Sequence, residues 1–348
     1  MFMAAVALLT ACGGEQQGGS GGSGGAVDLT GAGATFPYPL YSKWFAEYAT
    51  QKGVRVNYQS IGSGGGIRQL SEQTVDFGAS DAPMTDAEMA NAKGGAIVHV
   101  PTVLGAVVVT YNVPELQQPL RLTGEALADI FLGRITKWNA PQLAALNPGV
   151  ALPARDILVV RRSDGSGTSY IFTDYLAKVS PAWQGGPGKG KEVRWPVGLG
   201  GKGNEGVAGQ VKSTPGTIGY VELAYATQNR LPVAAIRNAA GSFVTPSIAS
   251  VTAAAAGVAE QLPENSDFRI SIVDAPGAEA YPISSLTWLL IYEAQRDSVK
   301  GRKLVDFVRW ALRDGAQYAA PLDYAPLPAA LVTRLEQRIA DIRVGEQP

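Results

Sequence analysis

Three short turns rich in glycine, serine and threonine concentrate the donor chemistry of this chain: Gly31 to Pro37 (GAGATFP), Gly62 to Gly66 (GSGGG) and Asp164 to Thr168 (DGSGT). Each precedes a stretch that reads as helix, so each sets hydroxyls beside the free amides and positive dipole end of a helix start. That combination suits a small oxyanion, and glycine lets the backbone come close to it. The third turn is the most specific, because Arg161 and Arg162 precede it at the end of the apolar run Ile157 to Val160. A guanidinium is a planar fork of donors matched to a tetrahedral oxyanion, and Asp164, two residues on, is placed to orient it. The plainer reading stays beside this one: Gly-Ser turns are mostly only turns, and an Arg/Asp couple on a loop is mostly a solvated pair.

Other chemistries fit less well. Gly185 and Gly190-Lys191 have the spacing of a nucleotide-binding loop, but Glu192 stands where a hydroxyl should meet magnesium and no strand leads in. Gly31-x-Gly33 lacks the third glycine of a dinucleotide fingerprint, since Phe36 occupies that place. The Gly-x-Ser-x-Gly match at Gly21 to Gly25 lies in a run of Gly and Ser too flexible for a nucleophile elbow. His99 is the single histidine and sits among Val98, Val100 and Pro101, which reads as a structural role. Cys12 is the single cysteine and the acidic residues are scattered, so neither a metal site nor a cofactor is expected.

The elements that must hold these turns alternate in type. Val54 to Tyr58 reads as a half-buried strand, while Val103 to Tyr111, Ile157 to Val160 and Leu286 to Tyr292 read as buried ones. Leu40, Trp44, Phe45 and Tyr48 recur at helical spacing, as do Leu304, Phe307, Val308, Ala311 and Leu312, and Leu331, Leu335 and Ile339; these stripes read as core. Thr85 with Glu88 forms a capping box, which leaves Asp81 without a capping role. Val179 to Glu205 is crowded with Gly, Pro and Lys and reads as surface loop, and Ala239 to Ser266 is Ala-rich and uninformative. The pattern is α/β, and 348 residues with 46% hydrophobic content suffice for two domains. With 29 Lys and Arg against 30 Asp and Glu, and no basic run, there is no cationic footprint for nucleic acid.

The amino terminus adds a compartment. Met1 to Ala11 is apolar but too short to span a bilayer, and suits the core of an export signal. It ends in Leu9-Thr-Ala-Cys12, which resembles the lipobox of bacterial lipoproteins, where the cysteine is acylated and becomes the first mature residue. The expected organisation is a signal peptide over 1–12 ending at the lipidated Cys12, a Gly/Ser-rich tether over 13–25, and a folded body from 26.

Five segments in order, Thr30 to Pro37, Val75 to Pro83, Val160 to Thr168, Gly198 to Asn204 and Gly219 to Glu222, together resemble the periplasmic phosphate-binding proteins of the Pst ABC transporter. The similarity runs from about Leu29 to about Asp341. The resemblance implies a type II periplasmic-binding-protein fold, a Venus flytrap with the ligand between lobe I (26–103 plus 281–348) and lobe II (104–280), hinged on two crossing strands. It also implies the ligand set. Thr35 and the amide of Phe36 come from the first turn, Ser63 from the second, Asp81 from the Phe-Gly-Ala-Ser-Asp segment, and Arg162, Ser166, Gly167 and Thr168 from the third, with Asp164 orienting the arginine. Gly64 stands where the family often carries a second serine.

The function so implied is high-affinity capture of inorganic phosphate outside the cytoplasmic membrane and delivery to an ABC importer, by a monomer that meets permease and ATPase subunits, is held to the membrane by lipid, and performs no chemistry. Asp81, an acceptor only, would meet the proton that phosphate carries and sulfate lacks. Three alternatives stay open. A secreted phosphatase would need a nucleophile or metals, a receptor for sulfate or another oxyanion would have no use for Asp81, and an adhesin or signalling lipoprotein would tolerate loss of all three turns.

Overall fold

The computed structural model describes residues 28–256, 262–263 and 267–345. Cys12, with the expected export signal and tether, lies outside the described residues. Eight strands form one continuous sheet: β1 (Leu29–Gly33), β2 (Val56–Ser60), β3 (Phe77–Ser80), β4 (Ile97–Tyr111), β5 (Leu158–Arg162), β6 (Leu199–Gly201), β7 (Thr217–Glu222) and β8 (Ser284–Tyr292). Their spatial order is β2-β1-β3-β8-β4-β7-β5-β6. β2, β1 and β3 run parallel, β8 returns antiparallel, and on the other side β7, β5 and β6 are parallel to one another.

β4 belongs to both halves. Its residues up to Ala106 pair with β8, and Val107–Tyr111 pair with β7. All 15 of its residues are buried, as a strand packed on both faces must be. The strand starts earlier than its apolar run suggests, at Ile97, because the register slips opposite Thr287/Trp288 and Pro101 falls at that irregularity, where a missing amide donor costs no ladder bond.

The helices that matter to the site are α1 (Tyr38–Lys52), α2 (Ser63–Ser71), α3 (Asp86–Ala90), α4 (Gly167–Val179) and α5 (Gly203–Ser213). α1 buries Leu40, Trp44, Phe45 and Tyr48, the expected stripe, and Ser298–Leu312 and Ala329–Ala340 bury theirs. α3 carries the capping box of Thr85 and Glu88. The region 179–205 is less loop-like than its composition: it holds a helix at Pro181–Gln184, capped by Ser180 and anchored by buried Trp183, and then β6. Its glycines have a packing reason, since a Cβ on Gly201 would lie 2.7 Å from the Val207 amide of α5. The Ala-rich region likewise holds a helix, Ile248–Ala254, with a Ser247/Ser250 capping box.

Candidate functional site

The three turns and Asp81 all lie just past the carboxyl ends of parallel strands, the position where open α/β sheets present ligand sites. β1 leads to Thr35 and Phe36, β2 to Ser63, β3 to Asp81, and β5 to Arg162 through Thr168. Thr35, Phe36, Ser63, Asp81, Arg162, Ser166 and Thr168 are each 3% exposed or less, and Gly167 is buried with them.

Local chemistry explains why each turn holds. Gly33 has a positive φ, and a side chain there would strike the carbonyl of Ala79 on β3. The turn is then pinned from outside, because Tyr225 donates to the Thr35 carbonyl and Tyr324 to that of Phe36, each at 2.6 Å. At the start of α2, Ser63 Oγ accepts from the amides of Asp81 and Gly167, both at 3.1 Å, so one hydroxyl ties the β3 end to the start of α4. Ser166 caps α4 by accepting from the Ser169 amide at 2.9 Å. No backbone carbonyl among the described residues takes up the amides of Phe36, Ser63 or Thr168. Two of these amides lie in the first turns of α2 and α4, where free donors suit an anion.

Two carboxylates set the electrostatics. Asp164 receives Arg162 Nε at 2.8 Å and Nη2 on its other oxygen, and the Gly203 amide at 3.0 Å. Burial pushes Asp164 up, but the Arg162 fork and that amide outweigh it and hold the carboxyl below its ordinary range. The remaining guanidinium nitrogen, Nη1, reaches Thr168 Oγ1 at 3.2 Å. Asp81 is different. Its Oδ1 accepts from Thr287 Oγ1 at 2.8 Å, and Ser63 Oγ lies 3.5 Å from Oδ2. Burial raises Asp81 to about 7, against the lowering effects of the Thr287 hydroxyl, the Arg162 charge and Ser63. The assembly is therefore a buried cluster of neutral donors, one neutralised guanidinium, and one carboxyl balanced near neutrality.

Contacts also cross between the two sides of the sheet. The Gly64 amide donates to Gly165 O at 2.9 Å, and Lys191 Nζ reaches both Glu88 oxygens at 2.7 and 2.9 Å. Asn204 Nδ2 donates to Thr35 Oγ1 at 2.7 Å and to Thr168 Oγ1 at 3.1 Å, joining the first and third turns.

Asn204 and Thr287 are the residues that reading for turns and charges missed. Asn204 ends one of the quoted segments, and Thr287 is a hydroxyl set between Leu286 and Trp288 in a wholly buried strand; polarity among apolar neighbours was the available signal. Arg161 bonds the carbonyl of Arg162 at 3.1 Å and is only half-buried. His99 Nε2 accepts from the Met84 amide at 3.0 Å while Nδ1 meets Asp267 at 2.7 Å, a satisfied structural histidine. Among the described residues no group of His, Cys, Asp and Glu could hold a metal ion.

Comparison with known proteins bears on the family and the fold. The model of the PBP superfamily domain matches residues 17–314. A phosphate-binding protein PstS of Xylella fastidiosa is 45% identical over 311 residues, covering 89% of this chain and 84% of that one. The PstS protein of Haemophilus influenzae is 44% identical over 314 residues, covering 90% and 92%. Among solved structures, a phosphate-binding protein from Stenotrophomonas maltophilia superposes with a TM-score of 0.67 at 21% identity, covering 90% of this chain and 94% of that one. A likeness at that identity concerns the fold, here the two-lobe binding-protein fold.

Proposed function

This chain belongs to the PBP superfamily and, within it, to the PstS phosphate-binding proteins, and from that premise we propose that it captures inorganic phosphate for an ABC-type importer between the two sides of its sheet. The observation that carries the reading is Asp81, a buried acceptor placed among amide, hydroxyl and guanidinium donors. A buried anion must have its oxygens hydrogen-bonded. Thr35, Phe36, Ser63, Arg162, Ser166, Gly167 and Thr168 would supply the donors, Asp164 would orient Arg162, and Asp81 would accept the proton of the bound phosphate. Sulfate brings no proton at neutral pH and would meet repulsion there.

The division into lobe I (26–103 plus 281–348) and lobe II (104–280) is supported by β4, which changes partner from β8 to β7 after Ala106. Lobes hinged at that strand would close over the ion. A metal-dependent phosphatase reading is disfavoured, because among the described residues no group of His, Cys, Asp and Glu could hold a metal ion. We place the protein outside the cytoplasmic membrane, anchored by lipid at Cys12 and meeting permease and ATPase subunits of its importer. Among the described residues no helix is long and apolar enough to cross a membrane. Cys12→Ser should release the protein from the membrane fraction with phosphate binding intact; retention there would count against the anchor.

Equilibrium binding of radiolabelled phosphate to purified, phosphate-free protein, with sulfate as competitor, tests the central claim. Saturable binding of one phosphate per chain, undisturbed by excess sulfate, is expected. Absence of binding, or equal competition by sulfate, would refute it.

A further inference from the structure

We infer that Thr287 is a positioning residue for anion selection: its hydroxyl engages one oxygen of Asp81 and leaves the other as the acceptor turned to the bound anion. The inference rests on the phosphate reading above and deepens it. The two oxygens of Asp81 face different ways. Oδ1 points to β8 and takes the Thr287 hydroxyl at 2.8 Å. Oδ2 points to the start of α4, where a Cβ built on Gly167 would lie 2.6 Å from it. The second oxygen is therefore the one that faces Ser63 and the start of α4.

Thr287 makes the one short side-chain hydrogen bond to this carboxylate among the described residues; Ser63 Oγ stands 3.5 Å away and already accepts two amides. The Thr287 hydroxyl also lies near the Ser80 carbonyl, at 3.5 Å, and the Tyr41 phenol, but its short contact, at 2.8 Å, is to Asp81. A β-branched side chain has few rotamers, and Thr287 stands in register opposite Val103 of β4, so the hydroxyl is held rather than free to swing.

A donor fixed on a carboxylate stabilises its charged form over its acid form. The other groups facing Asp81 do not replace that donor. Arg162 is the neighbouring cation, and it is neutralised by Asp164. Tyr41 of α1, Tyr58 of β2, Glu222 of β7, Tyr225 and Tyr324 all have their titration pushed upward by burial, toward their uncharged forms. On its far side Asp81 borders a cavity of about 160 Å³, which also meets Lys189, Asp174 and Arg269. There Lys189 pairs with Asp174 at 3.0 Å and Arg269 with Asp86 at 2.7 Å. Without the Thr287 hydroxyl, burial keeps Asp81 protonated at neutral pH. It then becomes a donor, and its repulsion of a fully ionised oxyanion is gone.

The test is calorimetric titration of phosphate and sulfate against wild type, Thr287→Val and Thr287→Ser between pH 6 and pH 9. Thr287→Val should lose about tenfold or more of its phosphate-over-sulfate discrimination at pH 7. It should regain it as rising pH ionises Asp81, and Thr287→Ser should behave as wild type. A Thr287→Val protein that binds phosphate and discriminates as wild type does at every pH overturns the inference alone, as does a serine variant no better than valine. A wild type that takes up no phosphate overturns the phosphate reading and this inference together. If Thr287→Val does not fold, Thr287→Cys, a weak donor of similar size, should show a partial loss; undiminished discrimination in it is equally fatal.

Discussion

Asp81 and Asp164 are the same residue type, both at the ends of strands of one sheet, yet the protein drives them in opposite directions. Asp164 has a guanidinium fork and an amide, and burial cannot overcome them. Asp81 is more deeply buried and has hydroxyls for partners, so burial prevails. On one side of the site, then, charge is paired and invariant around neutral pH. On the other it is poised to change. A buried ion pair gives a fixed handle for any oxyanion, whereas a poised carboxyl can tell a protonated anion from an unprotonated one.

The strongest way to break this comparison is to remove the fixed handle. Arg162→Ala strips a buried cation from its partner and should weaken phosphate binding by about 3–5 kcal/mol, while Arg161→Ala should change it by less than about threefold. Equal losses in calorimetry would mean that the wrong arginine has been placed in the site. The next effect comes from the poised side. Asp81→Asn should lower phosphate affinity by about tenfold or less and let sulfate compete, because an amide can offer either an acceptor or a donor. A variant that still ignores sulfate would put selectivity elsewhere.

The two carboxyls should also bend stability in opposite senses with pH. Asp81 has its folded value, about 7, above the unfolded one. Its contribution is full below about pH 4 and is lost as the pH rises through 7, by up to about 1.4 kcal/mol per unit. The melting temperature of phosphate-free Asp81→Asn should therefore gain on wild type across that window and then level off. Asp164 is depressed, so its contribution is present above the ordinary carboxylate range and lost as the pH falls. An Asp164→Asn protein should be the less stable one at neutral pH, and the gap should close in acid. The smallest effect concerns Lys191 and Glu88, which join the two sides at a half-exposed position. Such pairs contribute about 0–1 kcal/mol. Lys191→Ala should speed phosphate release by about fivefold at most in stopped-flow measurements, and high salt should erase the difference.

Much of this was legible from residue types. Strands announced themselves as apolar runs and helices as stripes such as Leu40, Trp44, Phe45 and Tyr48, while glycine-hydroxyl turns beside Arg162 were the signal for the anion site proposed here. The rest depends on proximity that no spacing encodes. Thr287 lies 206 residues from Asp81 and Asn204 lies 169 from Thr35. Only the sheet order, which sets β8 beside β3, brings the first pair together. Composition also misled over 179–205, where glycines that look like loop serve close packing of α5 against β6.

Glycine has a last consequence at the seam between the two sides. Gly64 touches Gly165 backbone to backbone, and even a methyl on Gly64 would come within 3.2 Å of the Gly165 Cα. Added carbons on Gly62 or Gly167 would strike Asp164, or Ser63 and Asp81. A seam this close takes up even one methyl group only by shifting its backbone, so the organic part of a phosphate ester would not fit between the two sides as they stand. A sugar phosphate or nucleotide bound there would wedge the two sides apart and break contacts such as the Gly64 amide to the Gly165 carbonyl. On the phosphate reading proposed above, the same glycines would act as a sieve, separating free phosphate from esterified phosphate by shape, before any charge is compared.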